Sequence, residues 1–173
     1  LGLPADTGPE TAAVAVRAWK GGELEDAVVE AGGCAAWLRT AEQWQAHPQG
    51  QAVRAEPLIG WTRRGARLPA DTSGTPERPL NGVRVLDLTR VIAGPVATRF
   101  LAGFGARVLR IDPPSWQEPA LEAEMTVGKS CARLDLRTPE GAARVRELIS
   151  AADLVVHGYR PGALTGLGLD EHR

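Results

Sequence analysis

Val83, Val85, Leu86 and Leu88 form a short apolar run rich in branched residues, the pattern of a strand covered on both faces. Ala93, Gly94 and Pro95 interrupt it. Glycine permits a tight bend, and proline suits a first helical turn because its missing N–H needed no partner there. Val96, Phe100, Leu101 and Phe104 then recur at helical spacing, and Gly103 and Gly105 close the pattern. Residues 106–111 return to an apolar run. Residues 79–112 therefore predict one βαβ unit, with parallel strands and a right-handed crossover.

Before that unit the pattern is weaker. Residues 1–10 carry no periodicity. Residues 11–19 place Ala12, Ala15, Val16 and Trp19 on one helical face, and residues 23–30 restart a helix with acids in its first turn, where the helix dipole favours them. Residues 34–38 predict a short strand. Thr40 is a candidate N-cap for a helix through Ala46, ended by His47-Pro48. Residues 53–61 alternate loosely around Pro57 and predict no more than an edge strand. Residues 63–78, polar with Pro69 and Pro76, suit an exposed linker.

After the unit, residues 113–128 open with two prolines and lack periodicity; a loop of that length is usually functional or mobile. Residues 131–136 predict a third strand. Thr138 caps a helix from Pro139 whose inward face is Ala142, Val145, Leu148 and Ile149. Residues 153–157 predict a fourth strand, 158–161 a turn, and 162–167 the start of another helix. The fold class is α/β, a Rossmann-like parallel sheet over 79–173 preceded by a small α+β segment over 1–62.

Bulk properties narrow the function. The 173 residues have a formal charge of −1 with both signs interspersed, and only 5% are aromatic, so neither a basic stripe nor stacking platforms point to nucleic acid. Cys34 and Cys131 are too few for a disulfide scaffold or a metal cluster, and are expected to be small buried hydrophobes in a reducing compartment. No run reaches membrane-spanning length and no signal peptide is visible, so the expectation is a soluble, cytoplasmic protein without a metal. A chain that begins at Leu1 reads as a piece of something longer.

Open α/β sheets bind ligands beyond the carboxyl ends of their strands, which here means the turn over 90–95. That turn lacks G-x-G-x-x-G spacing, which disfavours a nicotinamide or flavin site. Its small residues are equally consistent with close packing of helix on strand.

Three blocks carry a resemblance: PLNGVRVLDLTRVIAGPVATRFLAGFGARVLRIDPP, GKSCARLDLRTPEG and ADLVVHGYRPGALTGLGL, in that order. Together they resemble the N-terminal part of the family III CoA-transferases, the CaiB/BaiF group that includes α-methylacyl-CoA racemases. The earlier stretch ELEDAVVEAGGCAAWLRTAEQWQAHPQ is similar to a segment near the family's C-terminal end, which implies a tandem fusion or a rearranged parent.

The resemblance implies coenzyme A as thioester substrate, an acyl-CoA and a carboxylic acid as reactants, and a homodimer or an intrachain pseudo-dimer. It implies that Ile92 and Ala93 lie against CoA, that Leu134, Asp135, Leu136 and Arg137 form a block touching the nucleotide, and that Gly158 and Tyr159 replace an Asn-aromatic pair. The aromatic is kept and the Asn is not. Gly166 stands where several members carry arginine, and Pro113 where some carry a basic residue. Arg137, Arg160, Lys129 and Arg110 remain as phosphate partners, although Lys129 reads somewhat more readily as a solvated loop residue and His157 as structural. The family's nucleophilic aspartate lies downstream of the last block, so Asp135, Asp153 and Asp170 are not its counterparts and the isolated chain is expected to be inactive. The alternatives are a non-catalytic CoA-binding or dimer-partner domain, and a racemase-like isomerase.

Overall fold

The computed structural model describes residues 1–63, 73–160 and 162–168. The chain divides into two compact units, Leu1–Gly65 and Ala66–Arg173. Most of the linker expected over 63–78 lies outside the described residues.

The first unit contains four short helices, α1 (Pro9–Arg17), α2 (Gly21–Glu30), α3 (Ala41–Ala46) and α4 (Pro48–Ala55). Thr40 caps α3 as expected: its hydroxyl accepts from Gln43 N–H at 3.2 Å while the Gln43 side chain accepts from Thr40 N–H at 2.8 Å. The α+β expectation for this segment is corrected, because its described residues hold no strand. Over 34–38 the Trp37 N–H donates to the Glu25 carboxylate at 3.1 Å, a side-chain partner in place of a neighbouring strand. Over 53–61 the helix begun by Pro48 runs through Ala55, and Pro57 follows without a ladder.

The second unit is a four-stranded parallel sheet in the order β3-β2-β1-β4, built from β1 (Arg84–Leu88), β2 (Arg107–Asp112), β3 (Lys129–Arg133) and β4 (Leu154–His157). Strand alternation divides its side chains between two covers. Leu86, Leu88, Ile111 and Val155 pack with Val145, Leu148 and Ile149 of helix α7 (Pro139–Ala151). Val85, Val108 and Val156 pack with Leu101 and Ala102 of helix α5 (Ala93–Gly103). The expected βαβ unit is therefore present, and both faces of its central strands are covered. A short helix, α6 (Glu122–Met125), interrupts the loop after β2. The helix expected from 162 is a single 3₁₀ turn over Thr165–Leu167.

Both cysteines are exposed, against expectation. Cys131 lies on β3, the edge strand, where Ser130 through Arg133 are all exposed.

Candidate functional site

Parallel order 3-2-1-4 reverses direction between β1 and β4, and the crevice beyond the carboxyl ends of those two strands is where such sheets receive ligands. Three polar layers shape that end of the sheet.

The deepest is Asp87, fully buried on the side of β1 that faces α5. Its carboxylate accepts the Thr89 N–H at 2.9 Å, the Thr89 and Thr98 hydroxyls at 2.5 Å each, and the Lys129 ammonium at 2.9 Å. Lys129 also donates to the Pro95 carbonyl at 2.9 Å and to Thr98 Oγ1 at 2.7 Å. Burial alone would raise the Asp87 carboxyl, but the bonds from Thr89, Thr98 and Lys129 outweigh it and hold the group below its ordinary value. β1, β3 and the first turn of α5 are thereby tied together. Gly94 belongs to the same arrangement, since a Cβ there would lie 2.3 Å from Thr89 Cβ.

The second layer supports the turn itself. Val91 has φ +68°, a left-handed conformation that a β-branched residue adopts at a cost of roughly 1–3 kcal/mol. Its N–H donates to Glu118 Oε1 at 2.6 Å. Glu118 Oε2 accepts from Arg110 at 2.6 Å, and Arg110 also donates to Asp112 at 2.8 and 3.1 Å. Burial pushes the Glu118 carboxyl up, yet these donors hold it below its usual range.

The outermost layer is Arg90. Its Nη2 donates to the Tyr159 hydroxyl at 3.0 Å, and its guanidinium lies 5.2 Å from the Trp116 ring centre and 5.3 Å from that of Tyr159. Its Nε is buried, 4.0 Å from Asp112 Oδ1, without a hydrogen-bond partner among the described residues. The turns after β1 and β4 and the loop after β2 therefore meet at one arginine.

Of the residues expected at the site, Ile92 and Ala93 stand exposed at the start of α5, whose first N–H groups receive no side-chain cap. Tyr159 is joined to them through Arg90, with its ring 6.2 Å from that of His157. Gly158 and Arg160 are exposed on the same turn. Leu134 and Leu136 pack into the core, leaving the backbone as what they offer a ligand. Arg137 is exposed and folds back on Asp135, with Nε and Nη2 each 2.9 Å from a carboxylate oxygen; this holds Asp135 down to about 2. No described contact joins Arg137 to Ala93 or Tyr159.

Two expectations are corrected. Lys129 is neither a phosphate partner nor a loop solvator: its side chain is fully buried on Asp87. Arg110 is buried and committed to Asp112 and Glu118. Trp116 and Glu118 were not anticipated from the sequence, and Arg90 was anticipated only as the first residue of the turn over 90–95. The one signal for Trp116 and Glu118 was the long loop over 113–128, since no spacing connects them to a turn more than twenty residues earlier.

A cavity of about 550 Å³, lined among others by Arg84, Gly105, Arg107, Ser130 and Ala152, opens at the amino ends of the strands, away from these turns. Among the described residues no cluster of His, Cys, Asp and Glu is placed to hold a metal, and no helix is long and apolar enough to cross a membrane.

The model of the family described as CoA-transferase family III matches residues 80–173. An acyl-CoA transferase of Gibberella moniliformis is 31% identical over 163 residues, covering 90% of this chain and 29% of that protein. A succinyl-CoA–D-citramalate CoA-transferase of Chloroflexus aurantiacus is 38% identical over 115 residues, covering 58% and 29%. A CaiB/BaiF family protein of Brucella suis, known as a crystal structure, is 32% identical with a TM-score of 0.48, covering 56% of this chain and 30% of that one. The chain thus spans less than a third of the length of these proteins.

Proposed function

The chain belongs to CoA-transferase family III, and from that premise we propose that its second unit is the CoA-binding half-site of an enzyme that moves CoA between carboxylic acids. The nucleotide end of CoA lies across the turns after β1 and β4. The observation that carries this reading is the Arg90–Tyr159 junction at the reversal of strand order, beside the uncapped start of α5.

CoA presents a pyrophosphate, a ribose phosphate and a planar base, and needs outward N–H groups, cations and an aromatic or apolar wall. The N–H groups at Ile92 and Ala93 suit the phosphates. Tyr159 with Gly158 supplies the wall, and Arg137, Arg160 and the backbone at Leu134 complete the rim.

The covalent step of such a transfer requires a carboxylate nucleophile. Asp87, Asp112, Glu118 and Asp135 are each engaged by a cation of this chain, which makes each a poorer nucleophile toward a thioester. In this reading the nucleophile lies outside the described residues. The same commitment of carboxylates, with glycine at 158 and 166, favours a second reading in which this unit is a CoA-binding copy without chemistry in a pseudo-dimeric parent. The Gibberella match, which takes in both units, supports the fused order.

Calorimetric titration of CoA into the 173-residue chain tests both readings. Saturable binding is expected, weakened about tenfold by Tyr159→Ala or Arg137→Ala, as for loss of a stacked ring or a charge-assisted hydrogen bond. Absence of binding overturns the site. Turnover of an acyl-CoA with an acceptor acid overturns the placement of the nucleophile elsewhere.

A further inference from the structure

We infer that Glu118 is a positioning residue for the turn after β1: its carboxylate holds Val91 in the left-handed backbone conformation and so aims the first N–H groups of α5 outward. The inference rests on the CoA-binding reading for its consequence, though not for its geometry.

Glu118 lies on the loop after β2, in the segment that the sequence marks as too long for a plain connection. Both its carboxylate oxygens are used, and for different ends. Oε2 takes Arg110 at 2.6 Å, and Arg110 is only 1% exposed and further fixed by Asp112, so the carboxylate has a rigid seat. Oε1 takes the Val91 N–H at 2.6 Å. The loop is fastened from outside as well, where Arg133 Nη1 donates to the carbonyls of Pro113 at 3.3 Å and Trp116 at 2.5 Å.

Val91 is the one described non-glycine residue with positive φ, and it is β-branched, the side-chain type least suited to that region. A strained residue persists where its surroundings over-determine it, and such places cluster at ligand clamps. Here the external determinant is a single hydrogen bond, donated by the Val91 N–H to a carboxylate 27 positions away. The direction in which the chain leaves Val91 sets where Ile92, at φ −126° and ψ −62°, and the start of α5 are placed. Releasing Glu118 lets Val91 relax toward negative φ and turns those N–H groups away. A purely structural Glu118 would serve only to neutralise Arg110, and Val91 would be indifferent to it.

The two roles separate in a double-mutant cycle on the 173-residue chain, with CoA affinity by calorimetry and stability by urea. Glu118→Gln keeps the size but leaves one acceptor oxygen for two donors; the buried Arg110 cation takes it, and the amide NH2 then faces the Val91 N–H, which loses its acceptor. In the native background it is expected to weaken CoA binding about tenfold, the order of one charged hydrogen bond. In a Val91→Gly background, where left-handed φ needs no support, the same change is expected to weaken CoA binding less than twofold while still lowering stability, since the contact with Arg110 is weakened in both backgrounds. An equal loss of affinity in the two backgrounds, or none in either, overturns the inference. Should the native chain bind no CoA, the CoA reading fails by itself, and the backbone carbon shifts of Val91 still decide the geometry. They move toward negative φ in Glu118→Gln if the inference holds and stay unchanged if it does not.

Discussion

Asp87 and Lys129 form an ion pair at zero side-chain exposure, with every donor of the ammonium directed at an oxygen. Removing one member leaves a desolvated charge, which typically costs about 3–5 kcal/mol, whereas replacing both with apolar residues is often far milder. Lys129→Met is therefore expected to destabilise by that amount in urea titrations, and Asp87→Leu/Lys129→Met by less. The double variant is helped by Thr98, whose hydroxyl already lies 3.1 Å from the Gly94 carbonyl. Equal losses in the two would remove the pair from this role. The pH dependence has a definite sign. Asp87 is depressed in the folded state, so its contribution is complete above its unfolded value of about 3.9 and is lost as pH falls through the lower folded value. Acid unfolding of Lys129→Met should accordingly begin at higher pH than in the native chain. None of this was legible around Lys129, which falls between the loop expected over 113–128 and the strand expected over 131–136. The apolar run that announced β1 also concealed its one buried carboxylate.

At the level of elements, β1, α5, β2, α7 and β4 were legible because their periods are clean, whereas the third strand, expected over 131–136, runs over Lys129–Arg133. The pattern located β1 within one residue and β4 within one, and it placed α7 by its cap, since Thr138 Oγ1 accepts from Gly141 N–H at 3.0 Å. Short apolar runs in the first unit misled, since a strand needs a neighbour and the sequence does not say whether one exists. The glycines divide by what surrounds them. Gly94 sits where a side chain would strike Thr89, so Gly94→Ala is expected to destabilise by about 1–3 kcal/mol, the usual range for overpacking. A calorimetric melting temperature at or above that of the native chain would show that the close approach is dispensable. Gly158 and Gly166 are different: neither has positive φ, and a Cβ at either meets nothing within 4 Å. Gly158→Asn and Gly166→Arg, which restore residues the family resemblance leads one to expect, should fold normally and tighten CoA binding several-fold each, by a hydrogen bond or a phosphate contact. Unaltered affinity in both would mean that CoA does not pass over these turns.

Over the whole molecule, stability is unevenly spread, and the imbalance follows from what each unit buries. In the first unit Gly50 is the one buried residue among those described, while Leu38, Leu58 and Trp61 are more than 90% exposed. Its helices run to 9, 10, 6 and 8 residues, below the roughly 12–15 at which an isolated helix is even marginal in water. Local capping, as at Thr40, contributes about 1 kcal/mol and does not substitute for a packed face. The sheet of the second unit is the opposite case, with Val85, Leu86, Leu88 and Val108 each at most 3% exposed between two helices. Native-state hydrogen exchange should therefore show amides of α1 and α2 exchanging through openings of about 0–2 kcal/mol, while those of β1 and β2 exchange only through global unfolding. If the helices of the first unit were instead protected to the level of β1, their exposed tryptophan and leucine side chains would have to be covered in solution. Self-association through those residues would then be the cause, and dilution would strip the protection from α1 and α2 while leaving it on β1.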